Sequence, residues 1–255
     1  MEKMPSIHFP YHASMPLPRA LAALSQLLPG HCLLCRAWPA PPLCHDCLAR
    51  FAHAVPRCEA CALPVAPGVR RCGACLRTPP PLHRCIAAVP WAWPWAQCIG
   101  RMKFARATGL AAPLAGVLAR AEGAAALLAA ADALLHIPAS ARRLAERGYN
   151  PALLLARQLA ARTSTPPVHA RWLLRVRHTP PQRTLPRQKR LGNLRGAFGV
   201  HPQHAAKVRG RCIVLLDDVM TSGGSLFEAA RCLLAAGAAK VDAIVLARAE
   251  FDTHE

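Results

Sequence analysis

The chain has 255 residues, enough for one or two domains and a sizeable core. Hydrophobic residues make up 53% and charged residues 18%, which excludes a wholly disordered chain. Lys plus Arg number 32 against 13 Asp plus Glu, and the resulting +19 should gather anions: nucleic acid, phosphorylated metabolites or an acidic membrane face.

Residues 1–28 form an N-terminal tail in which Leu17, Leu21, Leu24 and Leu28 predict a short amphipathic helix packed on the protein itself. The tail lacks a basic end followed by a long apolar core, so no secretory signal is expected. With no export signal, the twelve cysteines are expected as metal ligands and reduced thiols rather than disulfides, which places the chain in the cytoplasm. No transmembrane segment is expected either. The most apolar stretch, Gly123 to Leu135, carries Asp132 and falls short of the ~20 residues a bilayer core needs.

Eight of the cysteines crowd into residues 29–80 as four knuckles: Cys32 and Cys35, Cys44 and Cys47, Cys58 and Cys61, Cys72 and Cys75. Two thiolates at each C-x2-C spacing can face one tetrahedral ion, so the eight make two structural zinc sites, a small double zinc ribbon. The spacing favours sequential sites, 32/35/44/47 and 58/61/72/75, but leaves a crossed arrangement and an iron–sulfur cluster open. Four thiolates close each site, which argues against catalysis at the metal. The proline-rich run Thr78-Pro79-Pro80-Pro81 marks a short stiff linker.

From residue 84 to 255 apolar strands alternate with Ala/Leu/Arg helices, as in an α/β domain. Strands are predicted around Ile86–Trp91, at Ala133–Ile137, at Leu173–Val176, at Cys212–Leu216 and at Val241–Ala247. Helices are predicted near Pro94–Phe104, Gly109–Ala121 and Pro151–Arg162, and from Gly224 to Ala236 with Gly237 as the stop.

The run Asp217-Asp218-Val219-Met220-Thr221-Ser222-Gly223-Gly224-Ser225 carries the most chemistry. A helix start offers unpaired N–H groups and a positive dipole end to an anion. Gly223 and Gly224 allow close approach, and Thr221, Ser222 and Ser225 add hydroxyls, so the turn suits one phosphate monoester. Carboxylates next to a phosphate need another purpose: Asp217 and Asp218 suit sugar hydroxyls or Mg2+. A ribose 5-phosphate answers both demands. No Walker pattern is present.

These residues resemble the phosphoribosyl-pyrophosphate motif of type I phosphoribosyltransferases, and with the cysteine module the chain resembles the ComF family of competence proteins. Weaker matches are Gly100-Arg101-Met102-Lys103-Phe104, Ile137-Pro138 leading to Arg147-Gly148-Tyr149-Asn150, and Arg190-Leu191-Gly192-Asn193-Leu194 followed by Ala197-Phe198. The resemblance implies a mostly parallel sheet of the type I phosphoribosyltransferase kind, preceded by the small double zinc ribbon. It assigns the ribose hydroxyls to Asp217 and Asp218, the 5-phosphate to Thr221, Ser222, Gly223, Gly224 and Ser225, and the pyrophosphate to Pro138, Ala139 and Ser140. It makes Arg183 to Asn193 a hood loop whose Arg183 and Arg190 act in catalysis. Lys103 is a further candidate phosphate contact.

Between Glu146 and Asp217 lie seventy residues with no acid and fourteen Lys or Arg. Arg183, Arg187, Lys189 and Arg190 either cover pyrophosphate or grip a nucleic-acid backbone; the arginine fork suits both. Prolines 180, 181 and 186 suggest an extended loop able to act as a lid. Aromatics at 5% argue against a surface built mainly on base stacking. Three functions follow as expectations. The first is a donor-binding protein that handles single-stranded DNA during competence, peripheral at the inner membrane beside the uptake channel. The second is a phosphoribosyltransferase of nucleotide metabolism using Mg2+ and an acceptor the sequence does not name. The third is a non-catalytic regulator that binds nucleic acid.

Overall fold

The computed structural model describes residues 30–177 and 194–250. The predicted helix over Leu17–Leu28 lies outside these, as do Arg183, Arg187, Lys189 and Arg190. The chain divides into two compact units between Cys44 and His45. In the first, Gly30 bridges Ala40 and the Cys32 knuckle is closed by Arg36 N donating to Cys32 O.

The second unit opens with short helices α1 (His45–Phe51) and α2 (Gly73–Arg77). Its frame is a four-stranded parallel sheet made of β1 (Cys85–Pro90), β2 (Ala133–His136), β5 (Cys212–Met220) and β6 (Lys240–Arg248), in the order β1-β6-β5-β2. A parallel sheet covered on both faces needs unbroken apolar runs rather than alternation. Ile213-Val214-Leu215-Leu216 and Val241 to Ala247 supply them, and all of Ile213–Leu216 are buried. Between β1 and β2 come α3 (Trp95–Phe104), α4 (Ala111–Ala119) and α5 (Ala124–Ala129). After β2 come α6 (Ala141–Arg147) and α7 (Pro151–Ala160). Helix α7 packs on α4, β5 and β2, while α9 (Gly224–Ala235) packs on β4, β5 and β6. A small antiparallel hairpin, β3 (Leu173–Arg175) with β4 (Phe198–Val200), flanks the sheet, and the short α8 (Ala205–Val208) precedes β5.

Two differences from the sequence expectation bear on the site. Strand β5 continues four residues beyond Leu216, because β6 keeps offering ladder partners as far as Met220 opposite Arg248. The paired acids therefore sit within the strand's last stretch rather than past its end. Helices α5 and α6 and strand β4 were not anticipated; segments of three to seven residues carry too few positions for a period to show. Among the described residues no helix is long and apolar enough to cross a membrane.

Candidate functional site

The four-cysteine groups come together sequentially: Cys32, Cys35, Cys44 and Cys47 in one, Cys58, Cys61, Cys72 and Cys75 in the other, each with its ligand sulfurs within 4.8 Å of one another. The Cys35–Cys44 and Cys61–Cys72 sulfurs are both 3.7 Å apart. A zinc–sulfur bond of 2.3 Å implies a tetrahedral edge of ~3.8 Å, so both groups fit such an ion. The two knuckles also repeat locally. Arg36 and Ala62, each following the second cysteine of its knuckle, have φ of 64° and 56°. Cys44 N donates to Cys32 Sγ at 3.5 Å, and Cys72 N to Cys58 Sγ at 3.3 Å. Burial pushes the Cys58 thiol up, but the N–H groups of Cys72, Ala60 and Cys61 outweigh it and bring it down to about 7. Cys32 is likewise brought down to about 6, its burial outweighed by the N–H groups of Cys44, Cys35 and Leu34. Amide donors of this kind favour the thiolate, the form a metal requires.

The second constellation lies at the carboxyl ends of the strands, where open α/β sheets take ligands. Asp218 is buried and forms an ion pair with Lys103, Nζ to Oδ1 at 2.8 Å, so the residue expected on a phosphate stands on an acid here. Lys103, near the end of α3, also lies 5.7 Å from the Trp91 ring centre. Asp217 is partly exposed as a residue, and its Oδ1 accepts from Asp218 N at 2.9 Å. Burial of the carboxyl, then the neighbouring Asp218 charge, holds its pKa well above the usual range, against the pull of Lys103.

The turn expected to take a phosphate follows. Thr221 is exposed, Ser222 and Ser225 are half-buried, and Gly223 and Gly224 are buried. Gly223 caps α9 with φ +80° and contributes no side-chain acceptor, and the first turn of α9 holds no acid. By contrast Ser140 caps α6 through Arg143 N, and Asn150 caps α7 through Ala152 N. The Ser222 hydroxyl is buried and has no hydrogen-bond partner among the described residues. A buried donor without a partner is costly, and a phosphate oxygen in the turn would relieve it.

A Cβ added at Gly223 would stand 2.6 Å from both Met220 Cε and Phe227 Cζ. Gly223→Ala is therefore expected to lose more than the ~1–2 kcal/mol of left-handed strain alone. Gly148 also has φ +80° but nothing within 4 Å of its added Cβ, so Gly148→Ala should show only that strain. Denaturant melts of the two variants side by side check the difference; equal losses would count against a crowded turn.

The turn expected to meet pyrophosphate is brought alongside. Ile137 N donates to Leu216 O at 2.9 Å, so half-buried Pro138 and Ala139 and buried Ser140 run next to the acid pair. The buried Asn150 amide donates to Ile137 O at 2.9 Å and fixes the exit from β2. Two residues not singled out in the sequence join the site. Arg175 on β3 is held below the usual arginine range by burial and by Arg143, and is drawn up by Asp217, which places all three within electrostatic reach. Arg175 was hidden in a long basic stretch; the one available signal was its position inside a predicted strand.

The phosphoribosyl transferase domain family matches residues 144–254. A DNA utilization protein YhgH of Salmonella typhimurium is 33% identical over 231 residues, covering 87% of this chain and 98% of that one. The protein of the same name from Escherichia coli is 32% identical over 184 residues, 68% of this chain and 75% of that one. Competence protein F of Haemophilus influenzae is 34% identical over 118 residues, 46% and 51% of the two chains.

Proposed function

The chain belongs to the ComF/YhgH family of phosphoribosyltransferase-domain proteins, and from that premise we propose that it binds phosphoribosyl pyrophosphate and handles single-stranded DNA entering the cytoplasm. The observation that carries the donor reading is the buried Ser222 hydroxyl, without a partner among the described residues, in a glycine turn that follows an acid pair balanced by Lys103. The 5-phosphate sits on the α9 N-terminus among Thr221, Ser222, Gly223, Gly224 and Ser225, and the ribose diol rests on Asp217 and Asp218. Pyrophosphate lies along Pro138, Ala139 and Ser140, with Arg143 and Arg175 adding positive charge; Arg183 and Arg190, assigned to catalysis by the family resemblance, lie outside the described residues.

Lys103 has a clear electrostatic purpose in this arrangement. Two carboxylates beside a phosphate would repel it. The Lys103 ammonium on Asp218 offsets one of the two acids. Magnesium, a hard cation suited to carboxylate and phosphate oxygens, would be held with the donor by Asp217 and Asp218 and would supply further charge neutralisation. In transfer, the bond between ribose C1 and pyrophosphate breaks as an acceptor attacks, and the arginines stabilise the departing anion.

The DNA reading is supported by the names of the relatives, by the +19 charge and by where the exposed aromatics lie. Trp93 (67% exposed) meets Phe51 edge-on at 5.0 Å, and Arg50 lies 5.3 Å over Phe51. Phe104 (70% exposed) carries Arg147 at 5.0 Å. These two aromatic–arginine pairs flank α3, about 15 Å apart at 1.5 Å per residue, and the second adjoins Lys103. Bases stacked on rings with phosphates on arginines suit both.

One set of measurements tests both parts. Phosphoribosyl pyrophosphate with Mg2+ should raise the melting temperature, and Asp217→Asn combined with Asp218→Asn should abolish the rise; an unmoved curve for the intact protein removes the donor reading. Single-stranded DNA affinity should fall with salt at roughly −0.7 per neutralised phosphate, and Trp93→Ala with Phe104→Ala should cost ~1–3 kcal/mol per unstacked base. No binding at low salt removes the DNA part. Pyrophosphate release in the presence of DNA separates a transferase from a non-catalytic binding protein.

A further inference from the structure

Arg248, the last residue of β6, is only 3% exposed. Its Nε donates to Cys61 O at 2.8 Å, and one terminal nitrogen donates to Thr221 O at 2.6 Å, to Met220 O at 3.2 Å and to Ala249 O. Cys61 carries one of the four sulfurs of the second cluster, and Thr221 opens the phosphate turn. A guanidinium is a planar fork of five donors, so its two ends cannot move independently. Burying such a charge is costly, and a strand end could be filled more cheaply by an apolar side chain. The fork therefore ties the backbone of a metal knuckle to the backbone of an anion site.

The knuckle also reaches the start of the turn indirectly, through the first residue of β1. Glu59 O in the knuckle accepts from Cys85 N at 2.7 Å, and Arg57 Nη1 donates to Ala62 O at 3.0 Å. Cys85 Sγ lies 3.7 Å from Met220 Sδ, and Cys58, Cys61, Ala62, Cys75 and Met220 belong to one buried cluster. Met220 is the residue whose Cε crowds Gly223 in the turn.

We propose that Arg248 is a positioning residue that couples the second four-cysteine cluster to the phosphate turn, so that metal at Cys58, Cys61, Cys72 and Cys75 and donor at Thr221–Ser225 favour each other. The inference rests on the reading that the donor binds this turn. A shape of the Cys61 knuckle set by the ion fixes the Cys61 carbonyl; the fork passes that position to the Thr221 carbonyl and hence to the amides beyond it. Linkage makes the effect reciprocal: the donor tightens the metal by the factor by which the metal tightens the donor.

The full-length protein carrying both ions is titrated to equilibrium with a chelator, with and without phosphoribosyl pyrophosphate and Mg2+, while donor binding is read separately from the melting temperature. One of the two ions should be held roughly 5–150-fold more tightly with donor, and the other should be unchanged. Arg248→Lys should keep part of the effect. Arg248→Met should lose it while still carrying two ions and still binding donor more weakly. A donor that raises the melting temperature yet leaves both ions equally extractable overturns the coupling and leaves the donor reading intact. A melting curve that the donor does not move overturns both. Should Arg248→Met fail to fold, the wild-type titration and Arg248→Lys decide.

Discussion

Replacing Cys61 with serine should unfold the sheet domain at a temperature where Cys35→Ser leaves it folded, although each change removes one ligand from a matching site. The sulfurs of Cys58, Cys61 and Cys75 lie in the same buried cluster as Leu135, Leu215, Val245 and Leu233 of the sheet and its covering helices, with Cys72 packed against it. None of Cys32, Cys35, Cys44 and Cys47 belongs to that cluster. Losing the second ion therefore leaves unpaired thiols inside the main core and frees the segment that carries Glu59 and Cys61. Structural zinc contributes ~10–16 kcal/mol in isolated zinc-finger peptides at neutral pH, and only part of that needs to be lost here to exceed ~4 kcal/mol. Metal content should fall from two ions to one in both variants. Calorimetry should then show a large drop in the sheet domain's transition for Cys61→Ser alone. Equal transitions would mean that the second cluster is as peripheral to folding as its twin.

Asp217→Asn is expected to stabilise the ligand-free protein at neutral pH while removing its affinity for the donor. The carboxyl's pKa is raised in the folded state, by burial first and by Asp218 second. Below about pH 4, near the ordinary aspartate value, folded and unfolded chains both hold the proton and the residue costs nothing. As the pH rises past that value, the unfolded chain gives up its proton and the folded one does not, so stability falls until the folded carboxyl also ionises. The variant escapes this loss. Its melting temperature should match that of the wild type in acid and exceed it at neutral pH, by about 2–4 °C for each kcal/mol recovered in a protein of this size. A site built for ligand at the expense of stability shows this pattern. A variant less stable than the wild type at neutral pH would show that Asp217 supports the fold instead.

The parts of this protein that could be read from the chain are those whose chemistry is contiguous. The four C-x2-C knuckles, the acid–hydroxyl–glycine run and the apolar strands at Cys212–Leu216 and Val241–Ala247 each state their case within about ten residues, because a knuckle, a glycine turn and a buried parallel strand are local geometries. Two short apolar runs separated by a capped helix are enough to place Asp217 and Asp218 at the end of a sheet. What spacing could not reveal is which distant residue answers each local group. Lys103 meets Asp218 across 115 positions, and Arg175 reaches Asp217 only because a three-residue hairpin folds back beside the sheet.

The two cysteine groups show the division most plainly. Their C-x2-C knuckles, their positive-φ residues and their amide-to-sulfur bonds repeat, so taken locally they are near twins. Only the folded chain distinguishes them, because burial depends on what else arrives at the same place. The second group shares a core with the sheet, and the buried fork of Arg248 joins its Cys61 carbonyl to Thr221, 160 residues further along.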